Sequence, residues 1–322
     1  MPINENAPLN VVPGAIRFNT DSMKLEYYRG GPVGFGTTTT TGEWVNLVTD
    51  TPDIQTGGAR AIFGGGYAPT ASPRTNRLDF FNINSTGNAV QFGTLTRSHS
   101  FIGALGSSTR GVWGGGYGPG SQSTMDFVTI SSTGNATSFG SLTQARHSSA
   151  GLSNSTRGVW NGGYSNPLGT NVNTIDYITI ASTGDARDFG DLSQIQHSMG
   201  ACASSTRGIS AGGRSPTTTD VNIINFITIS TCGNAARFGD LTRTAAGPGG
   251  CSNAVRGLFA GGGTNPGTAT NVIDYITIAS LGNAIDFGDL SRTMFRNFGA
   301  GAASPTRGVW AGGYSPNTPS TS

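Results

Sequence analysis

The chain has 322 residues, with 19 Lys and Arg against 17 Asp and Glu, for a formal net charge of +2. That balance excludes the electrostatic footprint of a nucleic-acid binder, and no stretch approaches the ~18 apolar residues that span a membrane. Glycine supplies 51 residues and charged residues only 11%, which suits many short strands joined by tight turns.

The first ten residues carry neither a basic start nor an apolar run, so no secretory signal is expected. Residues 1–23 are read as an N-terminal arm. Two strand-like pieces follow, one at Glu26-Tyr27 and one at Trp44-x-x-Leu47. From Arg60 onward one phrase dominates, Arg-Gly-Val-Trp-x-Gly-Gly-Tyr in its fullest form. It starts at Arg60, Arg110, Arg157, Arg207, Arg256 and Arg307, at intervals of 50, 47, 50, 49 and 51 residues. A fixed period near 50 marks a repeat architecture.

Each repeat reads as four short strands. Around Arg157 the small-residue run Ser149-Ala150-Gly151-Leu152 comes first. Arg157-Gly158-Val159-Trp160 follows and ends at Gly162-Gly163-Tyr164. Asp176-Tyr177-Ile178-Thr179-Ile180 alternates as a strand does. After the turn Ser182-Thr183-Gly184-Asp185, a last strand is anchored by Phe189. Third-strand Asp (Asp79, Asp126, Asp176, Asn225, Asp274) to fourth-strand Phe is 13 residues in all five repeats, while Arg to Asp varies from 16 to 19. Length change is therefore concentrated between the second and third strands, and such loops often mark a binding face.

The order Arg-His-Ser, Gly-Val-Trp-x-Gly-Gly-Tyr, Asp-Tyr-Ile-Thr-Ile, Phe-Gly-Asp-Leu resembles the kelch repeat over residues 47 to 314. Phe stands where that family's fourth strand carries Trp. The resemblance implies an all-β fold, a β-propeller with the first strand innermost, and the small first-strand residues agree. The last repeat stops after Tyr314, and the N-terminal pieces resemble its missing outer strands. Six blades are expected over 24–314, the last combining strands from 24–47 with strands from 296–314. Five blades with a separate N-terminal hairpin is the alternative. Residues 315–322 are read as a tail.

Side chains that recur are read as scaffold. The arginines at 60, 110, 157, 207, 256 and 307 and the aspartates Asp79, Asp126, Asp176 and Asp274 are expected to pair within or between blades. His147 and His197 share a register and His99 lies one residue out; they read as structural, with no short metal-ligand spacing. Cys202 and Cys251 fill an apolar slot and Cys232 a turn slot, so three unpaired thiols are expected. The Arg207 repeat departs most, with Ser210, Arg214 and Asn225 breaking the pattern. Drift or a subunit contact is one reading; a recognition point at Arg214 is the other. Tyr67, Tyr117, Tyr164 and Tyr314 follow the glycines and either pack beneath the loops or offer aromatic surface to a glycan. No catalytic motif, metal site or cofactor site is read, so the chain is expected not to be an enzyme.

Pro13-Gly-Ala-Ile-Arg-Phe-Asn-Thr-Asp-Ser-Met-Lys-Leu-Glu-Tyr-Tyr28, followed by Gly42-Glu43-Trp44-Val45, is similar to an element of tailed-phage structural proteins, especially marine and cyanobacterial phages. It covers about a tenth of the chain. The resemblance implies a virion protein made in the host cytoplasm, present in multiple copies on a tail, fibre or capsid. Its arm would meet other virion proteins, and its loops a neighbour or a host-surface glycan or protein. A cellular kelch-type interaction module and a secreted carbohydrate-active propeller are the rival readings.

Overall fold

The computed structural model describes residues 15–19, 24–30, 42–46, 60–67, 74–216, 219–264, 268–295 and 301–313. Every named element is a β-strand. The chain divides into two compact units, Met1–Thr51 and Pro52–Ser322. The arm residues 1–14, the tail 315–322 and Tyr314 lie outside the described residues.

In the first unit three antiparallel strands, Ile16–Asn19, Lys24–Gly30 and Gly42–Asn46, form one sheet with Lys24–Gly30 in the middle. The sequence supplies its own fasteners. Glu26 is buried and accepts from Arg17 Nε at 2.8 Å and Asn19 Nδ2 at 2.9 Å. The Arg17 guanidinium lies 4.1 Å from the Trp44 ring centre, and Trp44 meets Tyr28 edge to face at 5.4 Å. Cation–π and edge-to-face contacts of this kind each contribute about 0.5–1.5 kcal/mol.

The second unit has a five-blade propeller arrangement. The third blade shows the plan: Ala150–Ser153, Arg157–Ser165, Thr170–Thr179 and Arg187–Asp191 pair antiparallel in sequence order. Alternation turns Val159 and Trp160 to opposite faces, and both are fully buried because a neighbouring blade covers each face. The double glycine ends the second strand's straight run: Gly162 and Gly163 take φ of 55° and 122°. Only glycine adopts such angles without strain. The second and fourth blades repeat the four-stranded order. The fifth adds a short strand, Gly263–Thr264, and the first shows Arg60–Gly64, Arg77–Asn82 and Val90–Thr94.

Each fourth strand bulges at its Phe. In the third blade Asp188 opposes Asp176 and Gly190 opposes Ile175, so Phe189 is the extra residue. The same skip falls at Phe92, Phe139, Phe238 and Phe287. A bulge re-aims a side chain, and here it sends the ring into the next blade's core. Phe189 and Leu192 thus join Ala201, Ala203, Ile227 and Ile229 of the fourth blade in one apolar cluster. Three further clusters span the first and second, second and third, and fourth and fifth blades. The core is therefore distributed among the junctions between blades. Phe92, Phe139, Phe189 and Phe238 are buried in this way while Phe287 is exposed, and burying each of the four contributes roughly 1.5–3 kcal/mol.

The expected sixth blade does not form among the described residues. Gly301–Ala303 and Gly308–Trp310 pair with each other alone. Lys24–Gly30, expected as that blade's third strand, already has both edges taken, by Ile16–Asn19 and by Gly42–Asn46. A strand has two edges, so no ladder to Gly308–Trp310 is available to it. The isolated pair lies between the fifth and first blades: Trp310 Nε1 donates to Gly249 O at 2.9 Å, and Arg307 donates to Ile83 O at 2.9 Å.

Small first strands line the axis as expected. A cavity of about 120 Å³ there is walled by residues such as Gly103, Ala150, Gly151 and Ala201, and one of about 260 Å³ is walled in part by Cys202 and Cys251.

Candidate functional site

The recurring charges clasp adjacent blades, though not by pairing Arg with Asp of the same set. Arg60 donates to Ile130 O, Arg110 to Ile180 O, Arg157 to Ile229 O and Arg207 to Ile278 O, at 2.8–3.0 Å, each reaching the following blade. Each guanidinium also covers the aromatic ring of its own third strand; Arg157 lies 4.5 Å from the Tyr177 centre. That ring meets the bulge Phe edge to face, as Tyr177 does Phe189 at 6.0 Å. The aspartates point the other way round the ring. Asp126, Asp176 and Asp274 accept hydroxyls from Thr96, Thr143 and Thr242 of the preceding blade.

A second residue faces each of those carboxylates, and the sequence did not flag it. Arg146 and Asp176 form a wholly buried ion pair at 2.9 Å. Burial pulls the Arg146 guanidinium below its ordinary pKa and Asp176 opposes that shift. In the Arg207 blade the two positions hold Gln196 and Asn225, both fully buried and both uncharged, and no hydrogen bond joins them: Gln196 Nε2 donates to Gly212 O at 2.7 Å, while Gln196 Oε1 and Asn225 Nδ2 are unsatisfied among the described residues. Ser193 donates to Asn225 Oδ1 at 2.7 Å, so the hydroxyl bond survives the loss of charge. His99 fills the Arg146 slot near Asp126, and burial holds its pKa low despite that carboxylate. The fifth blade has Ala245 there, and Arg243 reaches Asp274 from another position at 3.0 Å. Asn225 signalled this swap in the sequence; Gln196 was the matching half.

The predicted surface residues lie on the loop side, and several come together. Tyr117 and Tyr164 flank the His147 ring, with centroids at 5.0 and 5.4 Å. Tyr164 also meets His197 at 6.2 Å, and Arg74 covers Tyr117 at 4.5 Å. The row Arg74, Tyr117, His147, Tyr164, His197 therefore crosses four blades, every member half-buried. His147 Nδ1 lies 3.0 Å from Ser121 Oγ, which also donates to Asn166 Oδ1 at 2.7 Å. Burial lowers the His147 pKa to about 4, so its ring is neutral at pH 7 and behaves as one more flat, weakly polar surface. Backbone pairing of His147 with Tyr164 and of His197 with Arg214 sets the spacing.

Arg214 does not reach outward freely. It pairs with Asp220 at 2.8 Å across its own loop, with 17% of its side chain exposed. Tyr67 is 60% exposed and makes no ring contact with the row among the described residues. Packing and exposure thus coexist in Tyr117 and Tyr164: each ring is fixed by a neighbour and still half open. The histidines were read only as scaffold, and their place between tyrosines followed from the ring order rather than from spacing. The cysteines are free; Cys202 and Cys251 are buried and Cys232 is exposed. Burial pushes the Cys251 thiol up to about 12 and Cys202 higher still. Among the described residues no three His, Cys, Asp or Glu gather as a metal site would need.

No protein-family profile matches the chain, and no curated protein matches it.

Proposed function

We propose that the chain is a non-enzymatic structural protein of a tailed-phage virion, a kelch-like propeller carried in multiple copies on a tail, fibre or capsid. The observation that carries this reading is the phage-like segment Pro13–Tyr28 with Gly42–Val45. Its Arg17, Glu26, Tyr28 and Trp44 interlock in a sheet of their own, as expected of an attachment module joined to a display domain. Residues 1–23 serve as the arm that meets other virion proteins. The propeller's loop side faces outward, and its tyrosine–histidine row offers flat aromatic surface to a host glycan or a neighbouring protein. Stacking of this sort is weak per site and gains strength from many copies on one particle.

Mass spectrometry and cryo-electron microscopy of purified particles test the proposal. The protein is expected in the particle proteome, with propeller density repeated at one position; its absence from particles overturns the reading. Glycan-array binding by the intact chain, weakened at least tenfold in Tyr117→Ala and Tyr164→Ala, would favour host attachment over a purely architectural role.

A further inference from the structure

In five of the six repeat phrases the fourth residue is an aromatic ring: Phe63, Trp113, Trp160, Phe259 and Trp310. Trp160 shows how it packs against the blade before it. Its Nε1 donates to Gly103 O at 3.1 Å, and the indole lies so close to Gly103 and Gly114 that a Cβ on either would be 2.7 Å from it. Trp113 sits likewise over Gly64, where a Cβ would come 2.8 Å from Nε1. In the fourth blade the ring is replaced by Ser210. The blade it faces has changed too: Ala150 and Asn161 stand in register where Gly103 and Gly114 stand one blade earlier. A large ring over two glycines has become a hydroxyl opposite a methyl and an amide.

Strand alternation brings four polar side chains to this one junction. Val159 packs with Ala201 and Ile227 of the fourth blade, so Asn161, two residues further on, faces that blade as well. Ile209 and Ile224 turn toward the fifth blade, so the next residues, Ser210 and Asn225, paired across the sheet, turn toward the third. Asn225 accepts from Ser193, which follows the third blade's last strand. Gln196 occupies the place from which Arg146 reaches Asp176 one blade earlier. None of the four is more than 2% exposed. Three of their atoms have no hydrogen-bond partner among the described residues: the acceptors Asn161 Oδ1 and Gln196 Oε1, and the donor Asn225 Nδ2. The end of Gln196 left over is fixed, because its Nε2 donates to Gly212 O at 2.7 Å. Each buried polar atom left unmet costs about 1–3 kcal/mol.

We propose that the junction of the third and fourth blades is a buried water site, in which an ordered water does the work of the indole. The water accepts from Asn225 Nδ2 and donates to Gln196 Oε1 and Asn161 Oδ1. About three bonds to otherwise unmet groups is usual for an internal water. The mixed set selects this ligand. An amide N–H repels a metal cation and two amide oxygens repel an anion, whereas water both donates and accepts. Ser210 and Asn161 keep 2% and 1% of their surface within reach of a water molecule. The site accounts for a pattern in the sequence: Ser210 and Asn225 of the Arg207 repeat depart together with Gln196 and Asn161, because all four serve one ligand. It also reaches the loop side. Gln196, held by the water, holds Gly212, and Gly212 leads through Gly213 to Arg214, which pairs with Asp220 and bridges to His197. The inference goes beyond the assembly role above and does not rest on it.

A high-resolution crystal structure of the full chain tests the proposal. A density peak is expected within hydrogen-bond reach, about 2.7–3.2 Å, of Gln196 Oε1, Asn225 Nδ2 and Asn161 Oδ1. In solution, magnetic relaxation dispersion of the water oxygen counts waters that stay bound longer than the protein takes to tumble. The double variant Gln196→Met with Asn225→Leu removes both unmet amide atoms at similar size, and its count should fall by one against the parent. A direct bond between Gln196 and Asn225 with no peak beside it overturns the proposal. So does a folded double variant with the parent's count. A peak that gives anomalous signal after bromide or rubidium soaking is an ion and overturns it too. If the variant does not fold, the parent's density decides alone.

Discussion

The third and fifth blades are built from nearly the same phrase, Asp-Tyr-Ile-Thr-Ile at both Asp176 and Asp274 and Asp-Phe-Gly-Asp-Leu at both Asp188 and Asp286. Yet Phe189 is sealed in a core while its twin Phe287 is half in solvent. Leu192 is buried and Leu290 only half so. The strands, the bulge and the Arg–Tyr–Phe stack are present in both. What differs, among the described residues, is whether a following blade packs against the fourth strand. Local sequence therefore determines the blade, and the neighbour determines what the blade's residues are worth. This is the nearest-neighbour energetics of repeat proteins, seen within one ring.

The most severe test concerns the junction between the second and third blades. Arg146→Ala leaves Asp176 buried and uncompensated, and a loss of about 3–5 kcal/mol is expected in urea unfolding. The double change Arg146→Gln with Asp176→Asn places at this junction the uncharged residues that occupy the same two positions as Gln196 and Asn225, and should recover most of that loss. A double variant no better than the single would show that the pair's charge is needed at this junction.

Phe189→Ala against Phe287→Ala measures the comparison directly. The first should lose about 3–5 kcal/mol by opening a cavity. The second should lose under about 1 kcal/mol, since most of its contact is with water already. Equal losses would mean that the fifth junction is filled in solution. The clasping arginines give a smaller version: Arg157→Ala should lose about 1–2 kcal/mol through its charged hydrogen bond, and Arg256→Ala under about 0.5 kcal/mol.

Acid should weaken the loop side. His147 has its folded pKa lowered to about 4 by burial, against 6.5 when free. Between those values the unfolded chain binds the extra proton, so stability is present above pH 6.5 and falls as pH drops toward 4. Screening at this partly open ring holds the effect to about 1 kcal/mol. His147→Gln should flatten that part of the melting-temperature profile; an unchanged slope would assign it to other groups. The mildest test is chemical. Cys232 should react at once with a thiol reagent, while Cys202 and Cys251 react only as the blades open.

The blade was legible in the sequence because its signals are local: the period near 50, strand alternation, the double glycine and the invariant Asp-to-Phe spacing. The ring count was not. It depends on pairing between distant segments, and Glu26-Tyr27 resembles a blade strand while sitting in another sheet. The aspartates were read as partners of the recurring arginines, because like spacing suggested like partners. Their hydroxyl and Arg146 contacts come from the preceding blade about 30 residues upstream, and no short window reveals them. Tyr117 and Tyr164 were singled out by their place after the glycines, as rings that either pack or face outward. The interleaved His147 and His197 belong to a different slot of the repeat and met them only once the blades stood side by side.

The bond from Arg307 to Ile83 has a further consequence. It links residues 224 apart, whereas the corresponding clasps span 70–72. Chain-closure entropy grows only with the logarithm of that separation, so joining the ends costs about 1 kcal/mol more than joining neighbours. The ring can therefore be shut by a single clasp at little thermodynamic penalty. It is nevertheless the least local hydrogen bond among the described residues of the propeller, and such contacts form late. The propeller should assemble as an open arc, blade upon blade, and become a ring in its last step.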